Sequence, residues 1–158
     1  MKNKIISEFL GTYFLVFAGT GAIVINEITQ SLTHVGVAMT FGLVVMALIY
    51  TFGHISGAHF NPAVTIGFFI NGDINKREAL YYIVTQIIAG IAASATLLIL
   101  FGNVASLGAT LPRDTWLQAF VMEFILTFFL MFVIFGAAVH GKAEKSFAGI
   151  AIGATVGL

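Results

Sequence analysis

The sequence predicts an all-α integral membrane protein. It reads as an inverted repeat of three spans plus a re-entrant half-helix, with the second repeat incomplete. Three observations predict this: composition, the spacing of apolar runs, and a self-match along the chain. Of the 158 residues, 59% are hydrophobic and only 9% are charged. A soluble domain carries roughly 25% charged residues. Seven acidic and seven basic residues cancel, and seven Lys/Arg scattered along the chain make no basic patch for nucleic acid. With no cysteine, a disulfide framework, a thiol nucleophile and a Cys-zinc site are excluded. A soluble enzyme and a disordered tail are excluded by the same composition.

About 20 apolar residues cross a bilayer core of about 30 Å. Ile5–Ile25 is the first such run, broken only by Glu8. Lys2 and Lys4 precede it as in a signal peptide, but the run is too long and contains Glu8. Val35–Phe52 is the second and carries no charge. Ala79–Phe101 is the third, and Trp116–Val139, broken only by Glu123, is the fourth. A fifth runs from near Ser146 to Leu158 and is too short to span. Lys2, Lys4, Lys76, Arg77, Lys142 and Lys145 fall on one side of these spans, and only Arg113 on the other. The positive-inside rule then puts the N-terminus in the cytoplasm, and the membrane is read as a plasma or bacterial inner membrane. Spans two and three must meet on one side, yet Val64–Ile70 between them is strongly apolar. A segment this short enters and returns. Irregular backbone at that depth is tolerated only inside protein or along a water-filled cavity.

A shift of 115 residues aligns the first span with the fourth without a gap. Glu8-Phe9 meets Glu123-Phe124, Thr12 meets Thr127, and Phe14-Leu15 meets Phe129-Leu130. Gly21-Ala22 meets Gly136-Ala137, and Thr40, Gly42 and Leu43 meet Thr155, Gly157 and Leu158. The repeats are read as 1–105 and 106–158. An odd number of spans per copy inverts the second copy, an arrangement found around central sites of transport proteins. The shift puts the counterpart of Asn61 near position 176, past Leu158. The chain is therefore read as a fragment or truncated product, and residues 1–158 alone are expected not to conduct selectively.

Asn61-Pro62-Ala63 opens the short helix. Asn is a favoured N-cap, and Pro is favoured at the first helical position. His54 to Phe60 is expected to run extended before it, with its carbonyls exposed. A helix of about 10 residues reaches about 15 Å, so its positive N-terminal end sits at mid-membrane. Acceptors along one wall and donors at the centre would carry neutral hydrogen-bonding solutes and repel cations.

The stretch Gly53-His54-Ile55-Ser56-Gly57-Ala58-His59-Phe60-Asn61-Pro62-Ala63-Val64-Thr65 resembles the signature loop of the aquaporin family, the major intrinsic proteins. The Glu-Phe pairs at 8–9 and 123–124, Gln86 and the loop at 140–146 fit the same resemblance, which covers the whole chain. Ala105 to Pro112 and Ala148–Val156 are most similar to the nodulin-like branch, whose members pass glycerol-type solutes and metalloid acids as well as water. The resemblance implies an aquaporin-like fold of six tilted helices and two half-helices, with four protomers each holding a pore. It implies a passive, proton-excluding channel for water and small neutral solutes, with no cofactor and no enzyme activity. Asn61 would be a central donor, with Pro62 and Ala63 at the junction of the half-helices. The carbonyls of Gly57, Ala58 and His59 would form a ladder. Phe41 falls at the span-two position of the outer selectivity filter. Phe there resembles the narrower water-type filter, whereas the nodulin-like branch often carries Trp. The second filter residue falls near position 160 and the filter arginine after the second motif.

Glu8 and Glu123 are costly inside spans, at about 2.5–3.5 kcal/mol each. They are read as structural buried acids, with proton relay as the alternative. The resemblance ties Glu123 to the loop near Asn61, and Glu8 to a partner outside the chain. His54 and His59 are five apart in a loop and lack metal-ligand spacing. His140 is read as a solvated interface residue. Gly149, Gly153 and Gly157 have close-packing spacing, and Gly36 and Gly42 are expected to act likewise. Tyr81, Tyr82 and Trp116 are placed in an aromatic belt. Against the channel stand a secondary transporter, with the two glutamates as coupling acids, and a non-conducting membrane protein. Lipid, permeant solute and further copies of the chain are the expected partners.

Overall fold

The computed structural model describes residues 1–158. Six α-helices follow one another: α1 Lys2–Thr29, α2 Thr33–Ser56, α3 Pro62–Asn71, α4 Lys76–Phe101, α5 Trp116–Ile134 and α6 Ala148–Val156. A π-helical turn, Phe135–Val139, prolongs α5. There are no strands. α1, α2, α4 and α5 with its π turn are each long and apolar enough to cross a membrane, whereas α3 is not.

Local chemistry sets the boundaries. Asn61 caps α3: its Oδ1 accepts from the Ala63 N–H at 2.7 Å, with Pro62 at the first helical position. Asn75 caps α4 by accepting from the Glu78 N–H at 3.0 Å. Thr115 and Gln118 form a capping box at α5. One boundary differs from the sequence expectation. His54, Ile55 and Ser56 are helical, because α2 runs one turn past Gly53 and stops only at Gly57, whose φ of 89° is left-handed. The following loop is not simply extended either, since Ala58 and Phe60 have φ of 53° and 51°.

α1 lies between α2 and α4 and packs on both. Its inward face carries Glu8, Gly11, Thr12, Gly19, Gly21 and Ala22, and α4 answers with Ala89, Ala93 and Leu97. Small side chains let these backbones approach closely, as membrane helices require when burial against lipid offers no drive. Most large apolar side chains point outward instead. Trp116, Phe120, Phe124, Phe128 and Phe132 are all exposed along one line of α5, a surface suited to hydrocarbon.

α2 and α6 cross as antiparallel neighbours through glycine. A Cβ on Gly42 would lie 2.6 Å from the Gly153 carbonyl oxygen and 3.1 Å from Gly157 Cα. A Cβ on Gly157 would lie 3.2 Å from the Ala38 oxygen. Under the 115-residue shift, Gly153 corresponds to Ala38 and Gly157 to Gly42. The contacts 42–153 and 38–157 are therefore one contact made twice, as across a two-fold axis. Gly149 supports the same crossing against the Tyr50 ring. Gly36 does not: its nearest neighbour is Leu32 of the preceding turn. Tyr82 also departs from expectation. Tyr81 and Trp116 are exposed, but Tyr82 is fully buried and donates to the Ser56 carbonyl at 2.8 Å. It faces the loop after α2 because it lies one turn from Gln86, which is buried beside that loop.

Candidate permeation site

The loop Gly57–Phe60 is held from behind by one carboxylate. Glu8 Oε1 accepts from Ser56 Oγ at 2.7 Å and from the His59 N–H at 3.0 Å. Glu8 Oε2 accepts from the Phe60 N–H at 2.8 Å and from Gln86 Nε2 at 2.8 Å. Four donors saturate the two oxygens, as suits an ionised carboxylate that only accepts. The Ala58 N–H turns the same way, onto Ser56 Oγ at 3.1 Å. In a planar trans peptide the N–H and the preceding C=O point in opposite directions. The carbonyls of Gly57, Ala58 and His59 therefore point away from Glu8.

They point toward a cavity of about 1460 Å³ whose walls include Gly57, Ala58, His59, Asn61, Pro62 and Phe41. Thr12 and Thr20 of α1, Val45 of α2, and Gly90 and Ser94 of α4 complete much of the wall. No Asp or Glu lines it. Asn61 is exposed to the cavity. Its Oδ1 is used by the cap, and its Nδ2 has no protein partner. At this point the wall changes from acceptors to a donor, backed by the N-terminal end of α3 with its positive dipole.

The loop's side chains lock it in place. The Phe60 ring fills the space that a Cβ on Gly11 would take, so α1 offers an acid and a hollow three residues apart on one face. The His59 ring is buried, stacked on Phe68 at 4.4 Å and edge-on to Tyr82 at 5.1 Å. Its Nδ1 is 3.2 Å from Thr65 Oγ1, which also accepts from Gln86 Nε2 at 3.0 Å. Helices α1, α2, α3 and α4 thus converge on one hydrogen-bonded cluster. The Phe41 ring lies on Gly19 at the other end of the cavity.

Of the residues singled out from sequence, the structure brings Asn61, Pro62, Phe41, Gly57, Ala58 and His59 to one cavity. Ala63 is not on its wall. The two glutamates depart from the roles expected of them, and only Glu8 is a buried acid. Glu8 holds the loop near Asn61, and Glu123 is exposed on α5 without a hydrogen bond. The reason is connectivity. The loop leaves α2, which packs on α1, so it doubles back over the first turns of α1 and reaches Glu8. The sequence alone does not mark Ser56, Thr65 and Tyr82 as part of this cluster. The i, i+4 spacing of Tyr82 with Gln86 was the available signal.

The profile described as Major intrinsic protein matches residues 1–158. Nodulin-26 of Glycine max is 50% identical over 156 residues, which is 98% of this chain and 58% of nodulin-26. Aquaporin NIP1-2 of Arabidopsis thaliana is 47% identical over 163 residues, covering 98% of this chain and 55% of that protein. The chain spans little more than half the length of these curated relatives. The X-ray structure of the aquaglyceroporin from Plasmodium falciparum matches with a TM-score of 0.78 at 26% identity, over 98% of this chain and 68% of that one.

Proposed function

Because the chain belongs to the major intrinsic protein family, we propose that it builds a membrane channel passing water and small neutral solutes and excluding protons. The solutes are of the glycerol or metalloid-acid type. One observation carries this reading: the loop after α2 turns its N–H groups onto Glu8 and its carbonyls into a cavity that also meets the free amide of Asn61. Passing molecules exchange water contacts for the carbonyls of Gly57, Ala58 and His59, then for Asn61 Nδ2. The dipole of α3 and the lack of any carboxylate on the wall oppose cations.

The same reading gives Phe41 to the outer constriction, Pro62 and Ala63 to the junction of the half-helices, and Glu8 to the support of the loop. Glu123 supports the corresponding loop of the second repeat. Residues 1–105 and 106–158 are the two repeats, and the doubled contact between α2 and α6 supports that division. Four copies assemble in a plasma or bacterial inner membrane, with the N-terminus in the cytoplasm. Nothing in the cavity favours a coupled transporter, since Glu8 is consumed by four donors and Glu123 lies off the wall.

The test is osmotic shrinkage of proteoliposomes holding the full-length protein that carries this chain. Flux should exceed that of empty vesicles, should not saturate with solute, and should leave an internal pH dye unmoved. Asn61→Asp isolates the donor, because Asp caps a helix as well as Asn. It should keep the fold, lower water flux and raise cation leak. Saturable flux driven by an ion gradient would overturn the channel.

A further inference from the structure

The connection between α4 and α5 contains an unusual turn. Ala105, Ser106, Leu107 and Gly108 all have positive φ, of 47°, 49°, 58° and 76°. Left-handed residues other than glycine occur singly, because Cβ crowds the following carbonyl. Three in succession persist only where the surroundings fix them, and such strain gathers at functional sites. Here the surroundings are α1. A Cβ on Gly108 would lie 2.6 Å from the Thr20 carbonyl oxygen, so the turn is seated against α1 where only glycine fits. A hydrogen bond from the Leu107 N–H to the Val104 carbonyl, at 2.8 Å, closes the turn.

The seat has a particular neighbour. Gly19, one residue before Thr20, receives the Phe41 ring. Consecutive helical residues differ by only 1.5 Å along the axis, so Phe41 and the turn meet α1 at the same height. Phe41, Thr20 and Leu107 all line the same cavity, and Leu107 is half-buried there. The strained turn thus delivers one large apolar side chain to the level of the outer constriction.

We propose that Leu107 is a specificity-determining residue of this channel, forming an apolar wall at the level of Phe41 that limits the size of the entering solute. This rests on the channel reading above. The turn is left-handed because that conformation sets Gly108 on Thr20 and brings Leu107 to the cavity. Phe41 alone therefore does not define the outer width. Leucine offers no hydrogen bond, so it discriminates by size and not by polarity.

The experiment compares water, glycerol and erythritol flux in proteoliposomes of the full-length protein. Leu107→Ala should raise glycerol and erythritol flux relative to water severalfold, and Leu107→Phe should lower both. Leu107→Cys gives a second readout against the unsubstituted full-length protein treated identically, since residues 1–158 contribute no cysteine of their own. A bulky thiol reagent should then block flux, and glycerol should slow the labelling. Solute-to-water ratios that stay at the wild-type value in both size variants would overturn the inference, as would labelling without block. Wild-type flux no greater than that of empty vesicles is a different failure. It removes the channel reading, and this inference falls with it.

Discussion

Glu8→Gln is the substitution that tests the loop most directly. The glutamine has nearly the same shape but exchanges one acceptor oxygen for an NH2 group. The remaining oxygen keeps two of the four donors, Ser56 Oγ, the His59 N–H, the Phe60 N–H or Gln86 Nε2. Gln86 can flip its amide and accept, but a backbone N–H cannot. With the amide nitrogen in the Oε2 position, the Phe60 N–H is left unpaired in a buried site, at about 1–3 kcal/mol. Two further bonds fall from charge-assisted to neutral, at about 1 kcal/mol each. The loop conformation therefore loses roughly 3–5 kcal/mol of support. Ala58 and Phe60 sit in left-handed conformations that cost about 1–2 kcal/mol apiece, so the loop relaxes once Glu8 stops holding it. Insertion moves the other way, because a carboxylate in a span costs about 2.5–3.5 kcal/mol on insertion scales and an amide less. The expected outcome is normal or better membrane yield with unit water permeability reduced by about tenfold or more, measured as shrinkage rate per inserted protein. A variant that conducts at the wild-type rate per molecule would refute the reasoning, since the carbonyl wall would then not depend on the carboxylate.

Two other predictions concern stability. Gly153→Leu forces a Cβ to within 2.7 Å of the Gly42 oxygen and of Met46 Cβ. Backbone atoms cannot swing aside, so overpacking of about 1–3 kcal/mol should appear as a clearly lower melting temperature in detergent. An unchanged melting temperature would mean that α2 and α6 do not pack through this seam. Lys4→Ala removes the only ion pair, Lys4 to Glu78 at 2.7 Å. The lysine is 43% exposed, so the loss should stay within about 1 kcal/mol, and chemical denaturation showing several times that would contradict it.

The legible parts of the fold were those written locally. Apolar runs gave the spans, because the bilayer imposes a length. Asn61-Pro62 gave the start of α3, because capping is a contest among neighbours in sequence. Long-range pairing was harder to read. Glu8 and Glu123 have the same residue type, the same following Phe and the same span depth. Only the path of the loop over α1 decides between them. Gly53 looks like the stop of α2, but the helix runs one turn further to Ser56, whose hydroxyl reaches Glu8. Its place near a span end marks Tyr82 as a belt residue, whereas its burial depends on how α4 meets the loop. Least legible was the turn at 105–108, where Ala, Ser and Leu carry no preference for left-handed backbone and α1 imposes it.

The crossing of α2 and α6 bears on how such a chain can arise. Gly42 and Gly157 occupy equivalent places and lie against each other, and Ala38 and Gly153 exchange partners across the same point. In a pair of identical single-repeat chains, position 42 would touch its own twin, and position 38 would meet position 42 of the other copy at two equivalent contacts. A side chain that enlarged position 42 would then collide with its own enlarged copy, and one that enlarged position 38 would crowd both equivalent contacts, so every change would count double. Fusing the two copies into one gene relaxes that restriction. Each half then mutates separately, and the seam tolerates any pairing whose combined bulk stays small. Alanine at 38, where the equivalent position 153 carries glycine, is an asymmetry of that kind, available to joined halves and closed to a symmetric dimer.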